Sequence, residues 1–99
     1  MTYSYELTSE ASEDVFESYL WYEKQKLGLG EEFLEELDRC KESILLNPET
    51  YQIIYEGRVR RFLVKRFPFI ILYLLEGDKV IVLSVFNTNQ SPKKWKKRF

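Results

Sequence analysis

The chain has 99 residues, of which 44% are hydrophobic, and this is enough for one domain spanning residues 1–99. With no histidine and a single cysteine, Cys40, an internal disulfide is excluded, and we expect neither a metal nor a cofactor. The net charge is −1. The N-terminus lacks a signal-peptide pattern, and the longest apolar run is too short to cross a bilayer, so we expect a cytoplasmic protein without membrane contact.

The first half of the chain predicts a strand followed by two helices. Apolar and polar residues alternate over residues 3–7, which is typical of a short strand. Thr8 is a residue type that caps helices, and apolar residues then recur at helical spacing until the GLG sequence at 28–30. A second helix carries its apolar stripe from Phe33 onward and ends before Pro48. The short connection predicts an antiparallel helical hairpin.

The second half predicts a meander of three strands over residues 59–66, 69–75 and 80–86. The last two strands are nearly continuous apolar runs, which is typical of strands buried on both faces. Pro92 can open a short C-terminal helical turn. The predicted fold class is therefore α+β, with the hairpin packed on one face of an antiparallel sheet and the other face open.

The two halves of the chain carry opposite charge. Residues 1–56 contain fourteen acidic and four basic residues, a net charge of −10, whereas residues 57–99 contain two acidic and eleven basic residues, a net charge of +9. This asymmetry suggests an anionic partner for the second half. The alternative is that acidic helices and basic strands pair across the surface and only keep the protein soluble.

The basic residues concentrate in the first strand of the meander, VRRFLVKR. Alternation places Arg61 and Lys65 on one face, and it places Arg58, Arg60 and Arg66 on the other. Strand parity does not say which of these faces meets the helices. Arginine suits phosphate because its planar fork donates two hydrogen bonds in fixed geometry. The alternative is an edge strand that is kept positive to prevent aggregation.

The C-terminal tail combines positive charge with an aromatic residue, Trp95. Its cations are candidates for nucleic-acid binding, together with Arg58, because phosphates attract cations and a base can stack on an indole. The alternative is a solvated turn with Trp95 docked on the core. The cations of the tail are Lys93, Lys94, Lys96, Lys97 and Arg98.

Five pieces in the same order and spacing resemble the RelE/ParE superfamily of bacterial type II toxin–antitoxin toxins. They are YSYELTSEA at 3–11, WYEKQKLGLGEEFLEELD at 21–38, NPETY at 47–51, VRRFLVKRFPFIILYLLEGDKVIVLSVF at 59–86 and SPKKWKKR at 91–98. The resemblance covers nearly the whole chain. It implies a helical hairpin packed on a curved antiparallel sheet, in agreement with the fold that the pattern of residues predicts.

The resemblance implies one of two activities and a protein partner. RelE-like toxins enter the ribosome and cleave mRNA, whereas ParE-like toxins poison DNA gyrase, and a cognate antitoxin holds both inactive. RNA cleavage requires a base, a group that stabilises the phosphate and an acid for the leaving oxygen. The basic strand of the family matches four candidate catalytic residues here: Arg60, Arg61, Lys65 and Arg66, with Lys65 as the proton-transfer candidate.

Two positions depart from the family pattern. Related sequences commonly carry histidine at the position of Asn87 and arginine at the position of Gln90, but this chain has VFNTNQSPKKW there. A proton-transfer group and a phosphate-binding group are thus replaced, and this leaves mRNA interferase activity open. The remaining alternatives are a gyrase poison, which needs binding rather than acid–base chemistry, and an inactive toxin-like module that binds antitoxin or RNA.

Overall fold

The computed structural model describes residues 2–90 together with Lys96 and Arg98. Over these residues the chain forms a strand, two helices and four further strands. They are β1 (Ser4–Leu7), α1 (Ser9–Gln25), α2 (Leu29–Leu46), β2 (Ile53–Tyr55), β3 (Val59–Leu63), β4 (Phe69–Glu76) and β5 (Lys79–Asn87). The C-terminal helical turn predicted from Pro92 lies largely outside the described residues.

The strands form a mixed sheet in the order β1-β5-β4-β3-β2. β2, β3, β4 and β5 pair antiparallel, as the meander predicts, but β1 pairs parallel to β5. The alternating pattern of β1 predicts a strand but says nothing about its direction. β2 was not predicted, because it is three residues long and follows a proline-terminated helix without a distinct alternation.

The two helices form the predicted hairpin, and a side chain of α1 closes it. Thr8 caps α1 by accepting a hydrogen bond from the Ala11 amide at 3.1 Å. α1 ends at Gln25, and Gly28 has a φ of 89° as the N-cap of α2. We expected Leu29 and Gly30 to lie in the segment that ends the first helix, but they already belong to α2. The Glu23 carboxylate accepts hydrogen bonds from the backbone amides of Gly28 and Gly30, both at 2.9 Å. It thereby satisfies N–H groups at the start of α2 that have no partner within the helix.

Apolar residues pack on both faces of the sheet. The hairpin covers one face, where the rings of Tyr22, Phe33, Phe67 and Phe69 form a cluster with centroid separations between 5.0 and 6.2 Å. The opposite face carries a second buried cluster of Val59, Ile70, Leu72 and Phe86. The prediction that the hairpin covers one face is confirmed. Within the described part of the chain, neither helix is long and apolar enough to cross a membrane.

Candidate functional site

Strand β3 points its two central arginines to opposite faces of the sheet. Phe62 packs with the core beneath the helices, whereas Val59 belongs to the cluster on the opposite face. Because side chains alternate along a strand, Arg60 lies on the helix side and Arg61 on the other side. This determines the orientation that strand parity left open.

Arg60 holds the loop between α2 and β2. Its Nη1 donates to the backbone carbonyls of Glu49 at 2.9 Å and of Tyr51 at 2.8 Å. Beneath the same loop, the buried Tyr73 hydroxyl donates to the Pro48 carbonyl at 2.7 Å. A guanidinium that satisfies loop carbonyls contributes to the fold, so Arg60 has a structural role whether or not it also contacts a target.

Arg61 and Lys65 line an open groove beside the β2 edge, which we term the basic groove. The groove has a volume of about 460 Å³, and its other polar lining residues are Ser43, Thr50, Tyr51 and Gln52. Arg61 Nη2 donates to Gln52 Oε1 at 2.8 Å. Lys65 is exposed and follows the end of β3, which stops at Leu63 and not at residue 66 as we expected. The groove thus brings together two of the four catalytic candidates.

Arg66 is directed to α2 rather than to the other candidates. Its Nη2 lies 2.8 Å from Glu32 Oε1, and the two side chains are 50% and 41% exposed. The hydrogen bond raises the pKa of Arg66 and lowers the pKa of Glu32. An ion pair this exposed contributes little to stability, but it occupies the guanidinium.

The remaining nucleic-acid-binding candidates have different environments. Arg58 is exposed in the turn between β2 and β3. Lys96 is exposed, and its Nζ lies 5.9 Å from the ring centroid of Tyr55. Arg98 is largely buried against α1, where its Nη1 lies 2.7 Å from Asp14 Oδ2. The remaining candidates of the tail, which the structure leaves undescribed, are Lys93, Lys94 and Lys97.

Asn87 and Gln90 line a second cleft, between α1 and the end of β5, which we term the acidic cleft. It has a volume of about 290 Å³, and the charged side chains that line it among the described residues are those of Asp14 and Glu17. Trp21, 58% exposed, forms part of the wall. Asn87 Oδ1 accepts a hydrogen bond from the Asn89 backbone amide at 2.8 Å, so the Asn87 side chain supports the turn that follows β5. Asp14 is paired with Arg98, so among the described lining residues it is the Glu17 carboxylate that disfavours an anionic phosphate at this cleft.

Burial removes several groups that could act as a base near neutral pH. Burial raises the pKa of Tyr73 to about 12 and that of Cys40 to about 11, and it also raises the pKa of Tyr5. A general base is most effective when its pKa lies near the working pH. Among the described residues, no group of three or more histidine, cysteine, aspartate or glutamate side chains is arranged to hold a metal ion.

The sequence did not predict the contributions of Asp14, Glu17, Tyr51 and Gln52. Asp14 falls within an acidic helical segment, and its partner Arg98 is 84 positions away in the chain. Tyr51 and Gln52 precede a strand too short to be predicted. The NPETY piece of the resemblance was the one sequence signal that pointed to this loop.

Comparison with known proteins identifies the family. A family model described as the ParE toxin of the type II toxin–antitoxin system, parDE, matches residues 5–92. The chain is similar to a solved structure described as the chromosomal ParDE TA system from P. aeruginosa, with 16% identity and a TM-score of 0.76, over 87% of this chain and 96% of that one. This likeness concerns the fold. A search of curated proteins finds no match. The chain belongs to the ParE toxin family of type II toxin–antitoxin systems, within the RelE/ParE superfamily that its sequence resembles.

Proposed function

We propose that this protein is a toxin that acts in the cytoplasm by binding and poisoning DNA gyrase. The observation that carries this proposal is the match to the ParE family over residues 5–92. The sequence resemblance implies gyrase poisoning for ParE-like members and mRNA cleavage for RelE-like members. Membership of the ParE family therefore favours gyrase over the ribosome.

The chemistry of the described residues also supports binding over RNA cleavage. Asn87 and Gln90, where relatives commonly carry histidine and arginine, line a cleft with Asp14 and Glu17. Cleavage through the 2′-hydroxyl develops negative charge on the phosphate, which the Glu17 carboxylate would destabilise, whereas the charge of Asp14 is balanced by Arg98. Poisoning of gyrase by contact requires neither a base nor an acid on the toxin.

The surface that we propose for the target is the basic groove with its neighbour Arg58. Arg61 and Lys65 present cations there beside Tyr51, whereas Arg60 and Arg66 are engaged with the α2–β2 loop and with α2. Of the four catalytic candidates, Arg61 and Lys65 become contact residues in this proposal, and Arg60 becomes a residue that supports the groove.

A cognate antitoxin is the partner that family membership implies. We propose that its segment over the basic groove is acidic, because the groove presents Arg61 and Lys65. A basic antitoxin segment at this groove would contradict the proposal.

One alternative is an inactive toxin-like module that retains antitoxin binding. The observation that favours it is the replacement of both family side chains at Asn87 and Gln90. If those replacements removed an mRNA interferase activity, Asn87→His with Gln90→Arg should restore cleavage of mRNA on programmed ribosomes. A double variant that still leaves the mRNA intact would count against the idea that these replacements removed an interferase activity.

The test is expression of the chain alone in a bacterial host, followed by assays on purified components. We expect growth arrest, accumulation of gyrase–DNA cleavage complexes and intact mRNA on programmed ribosomes. Arg61→Ala with Lys65→Ala should abolish the arrest. Lys79→Ala, which removes an exposed cation at the start of β5, should not. Normal growth with verified folded protein would favour the inactive module, and mRNA cleavage without gyrase complexes would reject the gyrase proposal.

A further inference from the structure

The edge of β5 is completed by side chains where β1 ends. β1 pairs with β5 as far as Leu7 opposite Val82, and the Thr8 amide then donates to the Val82 carbonyl at 3.0 Å. Beyond that point, Arg98 Nη1 donates to the Leu83 carbonyl at 3.0 Å, and the Val85 amide donates to Asp14 Oδ2 at 3.0 Å. The Asp14 carboxylate and the Arg98 guanidinium thus bind the peptide groups that a longer β1 would have bound.

Asp14 and Arg98 also bind each other through two hydrogen bonds. Nη1 to Oδ2 is 2.7 Å and Nη2 to Oδ1 is 2.9 Å, while Arg98 Nε lies 3.8 Å from Glu10 Oε2. The Arg98 and Asp14 side chains are only 20% and 17% exposed. A bidentate pair that is mostly shielded from water is held more firmly than the half-exposed pair of Arg66 and Glu32.

We propose that Asp14 and Arg98 form a latch that holds the chain at Arg98 against α1 and β5, and so places the exposed cation of Lys96 where it meets the target. Arg98 is then a positioning residue and not a contact to nucleic acid. This proposal rests on the proposed function, because it assigns the tail a part in target binding. It replaces the nucleic-acid-binding role that the sequence predicted for Arg98.

The geometry of Arg98 leaves little of its guanidinium for a target. Nη1 donates both to Asp14 and to the Leu83 carbonyl, and Nη2 donates to Asp14. A phosphate would have to displace Asp14, and it would meet Glu10 beside the same guanidinium. Lys96, two residues earlier, is exposed beside Tyr55. Releasing Arg98 from α1 would remove a fixed point two residues from Lys96, so the position of Lys96 would be less strictly determined.

The first arm of the test measures how firmly the tail is held. Trypsin cleaves after lysine and arginine, and intact-mass measurement follows loss of the tail from the folded protein over time. Asp14→Asn keeps an acceptor for the Val85 amide and leaves every cleavage site of the tail unchanged. We expect it to speed tail loss about tenfold, as removal of a largely buried ionic partner implies. Glu32→Gln makes the same chemical change at the exposed pair and should leave the rate unchanged.

The result that overturns the latch is tail loss at the wild-type rate in Asp14→Asn. Circular dichroism checks that each variant is folded at the assay temperature. If Asp14→Asn unfolds, Arg98→Ala replaces it, because this variant keeps the Asp14 bond to the Val85 amide. Cleavage is then followed at the lysines of the tail.

The second arm compares growth arrest and gyrase cleavage complexes. We expect Asp14→Asn and Arg98→Ala each to weaken both, and the double variant to be no weaker than either single variant, because one latch is lost in all three. Full activity in Asp14→Asn with loss in Arg98→Ala would mean that Arg98 contacts the target, and independent, multiplying effects would mean the same. Either result overturns the positioning role. If the wild-type chain does not arrest growth, the proposed gyrase poisoning fails and the trypsin comparison alone decides the latch.

Discussion

The adjacent arginines of β3, Arg60 and Arg61, have different hydrogen-bond partners on opposite faces of the sheet. Arg60 donates to the carbonyls of Glu49 and Tyr51 on the helix side of the sheet, whereas Arg61 donates to the side chain of Gln52 on the other side. The sequence places both in one basic run and proposes one role for both. Their partners belong to a loop nine to eleven residues earlier, and the residue types of that loop give no sign that its carbonyls need donors.

We therefore expect Arg60→Ala to destabilise the protein and Arg61→Ala to leave stability nearly unchanged. Loss of hydrogen bonds from a charged donor to two loop carbonyls should lower the free energy of unfolding by about 2 kcal/mol. Arg61→Ala removes an exposed side-chain contact, which should change it by less than about 0.5 kcal/mol. Urea unfolding followed by circular dichroism measures both. Equal stabilities of the two variants would contradict the structural role of Arg60.

Buried tyrosines predict how stability depends on alkaline pH. Burial raises the pKa of Tyr73 to about 12, and it raises the pKa of Tyr5 in the same direction. Below pH about 10 these phenols are protonated in both states, so they cause no change. Above that pH the unfolded chain releases protons that the folded chain retains, and stability falls as pH rises toward about 12.

The measurement is the urea midpoint between pH 8 and pH about 11.5. Tyr73→Phe should be less stable than wild type at neutral pH, because the buried Pro48 carbonyl loses its donor, but its alkaline decline should be shallower. Tyr3→Phe, at a partly exposed position just before β1, is the control. An alkaline decline as steep in Tyr73→Phe as in wild type would show that Tyr73 does not cause it.

At the scale of the elements, two glycines of the helical hairpin are required for different reasons. Gly28 has a φ of 89° with open space around it, so its backbone conformation is the constraint. At Gly30 an added Cβ would lie 2.8 Å from the ring of Tyr19 and 2.8 Å from the Tyr19 carbonyl oxygen, so the close approach of α1 and α2 is the constraint. The carbonyl cannot move unless α1 moves with it.

We expect Gly28→Ala to cost about 1 kcal/mol and Gly30→Ala about 2 kcal/mol, because the second substitution overpacks a helix contact. Gly28→Asn should recover much of the first loss, since asparagine tolerates the left-handed conformation. No such rescue is available at Gly30. Thermal and urea unfolding of the three variants test this. A Gly30→Ala variant as stable as wild type would show that the hairpin can separate at no cost.

The sequence predicted most elements and missed their connections. The apolar stripes of α1 and α2 and the apolar runs of β4 and β5 are long and periodic, and they were predicted correctly. β2 was missed because three residues carry too little pattern. The cap that Glu23 provides for α2 depends on the geometry of the hairpin, so one more glutamate in an acidic helix could not reveal it.

The same contrast holds for the candidate site. Arg61 and Lys65 were named from the basic strand and do line one groove, but Arg66 and Arg98 were named with them and pair with Glu32 and Asp14 instead. Those partners are 34 and 84 positions away in the chain. A basic run predicts a surface of positive charge, and only the packing of the helices decides which cations are neutralised.

At the scale of the whole molecule, the charge split is therefore partly internal. Among the described residues, ion pairs join the acidic half to the basic half: Glu32 pairs with Arg66, and both Asp14 and Glu10 pair with Arg98. The hypothesis of acidic helices pairing with basic strands thus holds for these residues. It does not hold for Arg61 and Lys65, which meet in the basic groove, where none of the described lining residues carries a carboxylate. The positive potential should be concentrated there.

This distribution predicts how binding of an anionic probe depends on salt. Neutralising one phosphate of a single strand contributes about 0.7 to the slope of log K against log salt concentration. We expect Lys65→Ala to reduce the slope by about that amount, because Lys65 is exposed in the groove. Arg66→Ala removes the same formal charge, but its guanidinium is already paired with Glu32, so the slope should change much less. Fluorescence anisotropy of a labelled single-stranded oligonucleotide across a salt series gives both slopes. If Arg66→Ala flattened the slope as much as Lys65→Ala, the positive potential would extend over the whole basic strand and the groove would not be its centre.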